Sequence, residues 1–127
     1  GSKKTYINCC KIFHDGKNPT TALELMKSRF TAFVVGNINY IINTTHEDNI
    51  EYSSDKSKWR EDIQDVVNST DFNKLEILEF IDGEEEAYVT FKLGLKQKGL
   101  DTSFTEKSKF LKIDGKWLYR SGEFLDD

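Results

Sequence analysis

Arg29 and Glu106 have the residue types and the placement to do chemistry together. At 100° per residue, Arg29 falls between Ala22, Leu25 and Phe33, inside the apolar arc of its helix, while Glu24, Lys27, Ser28 and Thr31 take the wet side. Glu106 lies on a segment of period two, where Phe104, Glu106, Ser108 and Phe110 share the core face and Thr105, Lys107 and Lys109 the solvent face. A guanidinium does not shed its charge, so a buried Arg29 needs an anionic or carbonyl partner, and Glu106 is its natural one. One reading is a polar cluster at the base of a pocket, holding a ligand or doing acid–base work, with the hydroxyls of Tyr40, Tyr88, Ser108 and Tyr119 nearby. The other is an inert buried ion pair that locks helix to sheet. Either way, losing one partner would strand a buried charge at about 3–5 kcal/mol.

Cys9 and Cys10 are the only cysteines. Adjacent Cα atoms stand about 3.8 Å apart, below the usual disulfide range, so the two are poor partners for each other. Structural zinc wants four ligands, and two soft ones side by side look like half a site. His14 follows closely enough to be a third ligand, and His46, in a polar stretch, could line a pocket mouth. Neither histidine has a sequence-adjacent nucleophile or carboxylate that would suggest a triad, and an ordinary hydrogen-bonded role is the alternative for each.

The elements that position these residues are legible. Asn18-Pro19-Thr20 is a break, and Thr21-x-x-Glu24 is a capping box for a helix over Ala22 to Val35, with Leu23, Met26, Phe30 and Phe33 as its stripe and Gly36 as its C-terminal cap. Asn37 caps a short second helix carrying Ile38, Ile41 and Ile42. Thr44 to Tyr52 reads as loop. Ser54 caps a third helix, Asp55 to about Asn68, with Trp59, Ile63, Val66 and Val67 inward.

After Phe72 the period becomes two. A first strand carries Leu75, Ile77 and Phe80 with a phase slip near Leu78, and Asp82-Gly83 turns into a second with Ala87, Val89, Phe91, Leu93 and Leu95 alternating. A Gly99 turn leads to a third strand, Ser103 to Ile113. Asp114-Gly115 is a hairpin signal before the strand of Trp117 and Tyr119. Three helices and then about four antiparallel strands make an α+β fold with the helices on one face of the sheet.

The 127 residues suffice for one domain with a real core, and nine Phe residues are available to build it. No apolar run approaches the ~20 residues that cross a bilayer, so no membrane role is expected, and Lys3-Lys4 lead into no signal-peptide stretch. Unstapled cysteines point to the cytoplasm. A net charge of −4 argues against general nucleic-acid affinity. Lys92, Lys96, Lys98, Lys107, Lys109, Lys112 and Lys116 leave RNA or ribosome association as a lesser possibility beside a plain solvated face.

Two stretches carry a family likeness. Thr21-Ala22-Leu23-Glu24-Leu25-Met26-Lys27-Ser28-Arg29-Phe30-Thr31-Ala32-Phe33 resembles the "T-A-E-x-L-M-R-S-R-Y-x-A-F" helix of the YchJ family. Glu106-x-Ser108-x-Phe110, then Asp114-Gly115-x-Trp117-x-Tyr119 and Gly122, resembles its "E-x-S-x-F … D-G-x-W-x-Y-x-x-G" ending. The resemblance implies a nuclear transport factor 2-like cone, helices wrapped against a curved sheet around a pocket, over residues 19–127.

Members of that family usually also carry SEC-C knuckles, running Cys-x-Cys, eight residues, then Cys-Cys or Cys-His. Gly1 to Asn8 are eight residues before Cys9-Cys10, so residues 1–18 resemble a knuckle remnant and linker that starts after a lost Cys-x-Cys. Gly1-Ser2 could equally be a cloning remnant. The likeness implies zinc in a full-length protein, with Cys9 and Cys10 as two ligands, and none in this chain. Departures are Thr44-Thr45 before His46, where the family often has a Trp, and Lys109 in place of a frequent Arg.

The resulting expectation is a non-catalytic module that binds a protein or small ligand. Its rival is a cone-pocket isomerase, hydratase or hydrolase using Glu106 as acid–base and Arg29 as anion holder. A solvent-connected cavity reaching both residues, with Glu106 not saturated by Arg29, would favour the enzyme. Packing of the cone by Phe30, Phe33, Phe91, Phe104 and Phe110 would exclude it.

Overall fold

Thr21 starts the main helix as its spacing predicts: its hydroxyl accepts from the Glu24 amide at 3.1 Å, while Glu24 Oε1 accepts from the Thr20 amide and hydroxyl, each at 2.8 Å. This computed structural model describes residues 11–125, so Cys9 and Cys10 lie outside the described residues. A one-turn helix, α1 (Lys11–His14), precedes α2 (Ala22–Val35), which ends at Gly36 in the left-handed conformation (φ 77°). Asn37 caps α3 (Ile38–Asn43). The helix α4 (Lys56–Ser69) is capped by Asp55, whose carboxylate accepts from the Lys58 amide at 3.1 Å, and not by Ser54 as the sequence suggested. Both residue types can cap; the helix starts at Lys56, one residue later than expected, which puts Asp55 at the cap position.

Five strands follow: β1 (Thr70–Ile81), β2 (Glu86–Gln97), the two-residue β3 (Leu100–Asp101), β4 (Phe104–Ile113) and β5 (Lys116–Leu125). They form one antiparallel sheet in the order β1-β2-β4-β5, with β3 on the end of β2. The expected four strands are the long ones; β3 is the far side of the Lys98-Gly99 turn, where both residues have positive φ. The slip near Leu78 is a β-bulge, and a second lies at Asn73. Asp114 and Gly115, with φ of 51° and 81°, make the β4–β5 hairpin turn.

The helices pack on one face of this curved sheet. Ala22, Leu25 and Met26 of α2 meet Ala87, Val89, Phe91, Leu93 and Leu95 of β2, with Phe110 and Trp117, to make the main core. A smaller core joins Ala32 of α2 to Ile41 and Ile42 of α3 and to Trp59 and Ile63 of α4. The wheel misplaces Ser28, which is fully buried and not on the wet side: its hydroxyl donates to the Leu25 carbonyl at 2.9 Å and meets the Tyr40 hydroxyl at 2.7 Å. Thr105, expected to be wet, is buried beside the Leu125 end of β5. No helix among the described residues is long and apolar enough to cross a membrane.

Candidate functional site

The main core does not close completely. Between α2, the inner face of the sheet and the end of β5 lies a cavity of about 380 Å³. Phe30, Phe33, Phe91 and Phe104 line it rather than fill it, and only Phe110 of the five expected phenylalanines is buried away from it. Its mouth includes Glu51, Val66, Thr102 and Phe124, and its floor is made by Arg29, Glu106, Ser108 and Tyr119.

β4 brings Glu106 and Ser108 to the floor by simple alternation. β5 needs a device to follow. A bulge at Arg120 breaks the pairing between Lys109 and Phe110, so that Tyr119 lies opposite Phe110 and Gly122 opposite Ser108. Three residues apart, Tyr119 and Gly122 thereby both face inward; bulges re-aim side chains in this way. A glycine at 122 leaves this floor room to form. A Cβ there would collide with the Glu106 carboxylate and stand 2.5 Å from the Tyr119 hydroxyl.

Arg29 is 9% exposed, and it is not held by Glu106. Its Nη1 donates to the Ile41 carbonyl at 3.0 Å and to the hydroxyls of Thr44 and Thr45 at 2.8 and 3.2 Å. Its guanidinium stacks over the Tyr119 ring, 4.8 Å from the centroid. The expected direct Arg29–Glu106 pair is not formed: no Arg29 nitrogen lies within 4.0 Å of a Glu106 oxygen, and Tyr119 links them, its hydroxyl donating to Glu106 Oε2 at 3.0 Å. Carbonyl and hydroxyl acceptors at the end of α3 satisfy the cation without a carboxylate. Burial lowers the Arg29 pKa from 12.5 to about 10, leaving it charged at neutral pH. Burial, then the Glu106 charge and hydrogen bond, push the Tyr119 phenol well above its ordinary value.

Glu106 is 8% exposed, and its Oε2 also accepts from the Ser108 hydroxyl. Both bonds go to the same oxygen. Among the described residues, Oε1 has no hydrogen-bond partner, and neither have Nε and Nη2 of Arg29. No buried side-chain polar atom among the described residues lacks a partner, so these atoms are within reach of solvent, and both residues line the cavity. The floor therefore offers one unused acceptor and unused donors on opposite sides of Tyr119.

The other expected residues lie elsewhere. Tyr88 is on the outer face of the sheet, its hydroxyl donating to Glu86 at 2.6 Å and its ring under Lys107. Tyr40 lines a second, more polar cleft of similar volume near α1 and Asn37, with its ring 4.4 Å from that of His14. His46 does not reach the cavity mouth: its amide donates to the Tyr119 carbonyl at 2.9 Å, and its Nδ1 accepts from the Asp48 amide at 2.9 Å. His14 Nε2 lies 2.8 Å from the Ser28 carbonyl, which can only accept, so that nitrogen carries a proton and is not free to ligate metal. Among the described residues, no group of three or more His, Cys, Asp or Glu could hold a metal ion. The lysine face is interleaved with acids: Lys92 pairs across strands with Glu76, Lys96 with Asp71 and Asp101, and Lys109 lies 3.3 Å from Glu86.

Gly122 of the floor and Glu51, Thr102 and Phe124 of the mouth escaped the sequence reading. Gly122 stood in the quoted motif, and a glycine within a strand signals close approach. Glu51, in a loop without periodicity, gives no such signal.

Residues 21–122 match the model of the YchJ middle, nuclear transport factor 2-like domain. A UPF0225 protein of Vibrio vulnificus is 37% identical over 130 aligned residues, spanning all of this chain and 74% of that protein. Two solved structures of SEC-C motif-containing proteins share the fold. The one from Rhodopseudomonas palustris is 25% identical, with a TM-score of 0.79 over 99% of this chain and 96% of that one. The one from Psychrobacter arcticus is 27% identical, with a TM-score of 0.73 over 95% of this chain and 70% of that one.

Proposed function

The chain belongs to the YchJ family, in its nuclear transport factor 2-like domain, and on that premise we propose that its cone is a binding module for a small, mostly apolar ligand. One observation carries this reading: an open cavity of about 380 Å³ with aromatic and aliphatic walls and a polar floor whose head groups are only half used. Walls like these would normally collapse to native density, since an unfilled apolar void forfeits dispersion contacts. A preformed pocket with a few convergent polar groups is the usual form of a small-molecule site. Ligand-observed NMR with indole should give saturable binding to the wild type. Leu93→Trp, which extends a wall residue into the space, should abolish it without unfolding the domain. Equal binding by both proteins would remove the cavity as the site.

A second reading is an enzyme of isomerase, hydratase or hydrolase type, and the open Oε1 of Glu106 favours it. A carboxylate steadied on one oxygen and open on the other is placed to move a proton, while Arg29 could receive a developing anion. Turnover of a neutral apolar epoxide, ester or enone that disappears in Glu106→Gln while ligand binding persists supports catalysis. Binding without turnover of any of the three keeps the module non-catalytic.

For the N-terminal segment, we propose that Cys9 and Cys10 are two of four zinc ligands in a protein extended upstream through Cys-x-Cys, in keeping with a reducing, cytoplasmic setting. Elemental analysis of that longer protein should find one zinc per chain; its absence would refute the knuckle.

A further inference from the structure

The half-used floor specifies the head group of the ligand. We infer that the cavity selects an uncharged ligand of about a dozen heavy atoms in all, mostly apolar, whose polar end both donates and accepts a hydrogen bond, a primary carboxamide being the simplest such group. This rests on the small-ligand reading above and adds to it the chemistry of recognition. The size follows from the cavity of about 380 Å³ and the ~30 Å³ that one water occupies in the liquid.

The argument from charge begins with what faces the floor. Arg29 supplies one positive charge, Glu106 one negative, and Glu51 a second negative at the rim. A carboxylate ligand would gain Arg29 but be driven against Glu106 with little water between them. An ammonium ligand would gain Glu106 but be driven against Arg29 on the floor, while Glu51 acts on it from the solvent-exposed rim. A neutral head avoids both repulsions and the cost of desolvating a third charge.

The argument from hydrogen bonds is independent of charge. Glu106 Oε1 can only accept, so it requires a donor. Nε and Nη2 of Arg29 can only donate, so they require an acceptor. No nitrogen of Arg29 comes within 4.0 Å of a Glu106 oxygen, and Tyr119 stands between them, so neither answers the other's hydrogen bonds. A plain hydrocarbon would displace water from both and leave both unanswered, the situation that makes built polar sites reject analogues lacking the matching group. An amide N–H toward Glu106 and its C=O toward Arg29 answers both.

A matched series tests this: 4-phenylbutanamide, 4-phenylbutanoate, 4-phenylbutylamine and butylbenzene share one body and differ only in the head. Dissociation constants from protein-observed NMR at pH 7, with the full chain, should show the amide at least tenfold tighter than the other three. Four constants within threefold of one another would overturn head-group selection while leaving the pocket intact. A preference for the acid or the amine would overturn it equally. Failure of all four to move the resonances of Phe91, Leu93 and Phe104 would overturn the small-ligand reading, and this inference with it. Glu106→Gln, checked for folding by its melting curve, leaves Arg29 as the sole charge of the floor and should turn the preference from amide to acid. An unchanged ranking in a folded Glu106→Gln would refute the role of Glu106, and the wild-type series stands as a test even if that variant does not fold.

Discussion

Two buried polar regions lie within a few residues of each other, and they are finished differently. In the loop 44–49, the buried side chains are answered by their surroundings, and of these only His46, which lines no part of the cavity, keeps an atom, Nε2, with no hydrogen bond among the described residues. Asn49 Nδ2 donates to the Arg120 carbonyl at 3.1 Å and its Oδ1 accepts from the Glu51 amide at 2.8 Å, while His46 and Thr44 exchange backbone bonds with both sides of Tyr119. On the cavity floor, Glu106 and Arg29 each use one atom fully and leave another open. Burial is similar in both places: His46 is 7% exposed and Glu106 8%. The difference teaches that burial of a polar side chain marks neither structure nor function. An unanswered half on a residue that lines a cavity is what separates the floor from the loop.

Arg29 belongs to both regions, so removing it should have the largest effect. Arg29→Leu takes away three hydrogen bonds from Nη1 and the stack on Tyr119, and should cost roughly 3 kcal/mol or more in urea unfolding. A loss below about 1 kcal/mol would mean that the Thr44 and Thr45 hydroxyls, already bonded to the carbonyls of Tyr40 and Ile41, do not depend on it. Next comes Gly122→Ala, which forces the new methyl against Glu106 and Tyr119. It should cost about 2 kcal/mol and weaken ligand binding, because overpacking moves the floor itself. Asn49→Ala is the control from the finished region. It should cost about 1–2 kcal/mol by stranding the Arg120 carbonyl and the Glu51 amide, and should weaken ligand binding less than Gly122→Ala does, because it leaves the Glu106 and Tyr119 head groups in place. Equal losses of affinity in Gly122→Ala and Asn49→Ala would erase the distinction between the regions.

Much of this is legible in the chain itself. Capping residues and period set the limits of α2, and alternation on β4 turns Glu106 and Ser108 inward. Arg29 is recognisable as buried because a charge inside an apolar arc has nowhere else to go. Its partner is not, because the acceptors on α3 are backbone carbonyls and threonines with no charge to advertise them. Tyr88 is misplaced for a similar reason: its type suggests a pocket hydroxyl, whereas its phase between Ala87 and Val89 puts it outside. Tyr119 and Gly122 reach the floor together only because of the bulge at Arg120, and a one-residue slip in register leaves no trace in composition.

Tyr119→Phe is the smallest change, and it isolates the hydroxyl that joins the two halves of the floor. At neutral pH the variant loses one bond to Glu106 Oε2, which Ser108 still holds, and should be about 1 kcal/mol less stable than the wild type. The gap should then close with rising pH. The folded-state pKa of Tyr119 is raised, so above the ordinary tyrosine value of 10 the unfolded chain releases a proton that the folded protein keeps. The stability of the wild type therefore falls with pH relative to the variant, by up to about 1.4 kcal/mol per unit until the folded pKa is reached. Arg29, whose lowered pKa acts in the opposite direction above pH 10, is present in both proteins and largely cancels in the difference. Urea unfolding of both proteins from about pH 7 to 11 should thus bring the two stabilities together near the upper end of that range. A gap that stays constant throughout would mean that Tyr119 ionises as a solvated phenol does, and that the floor is wetter and looser than its hydrogen bonds imply.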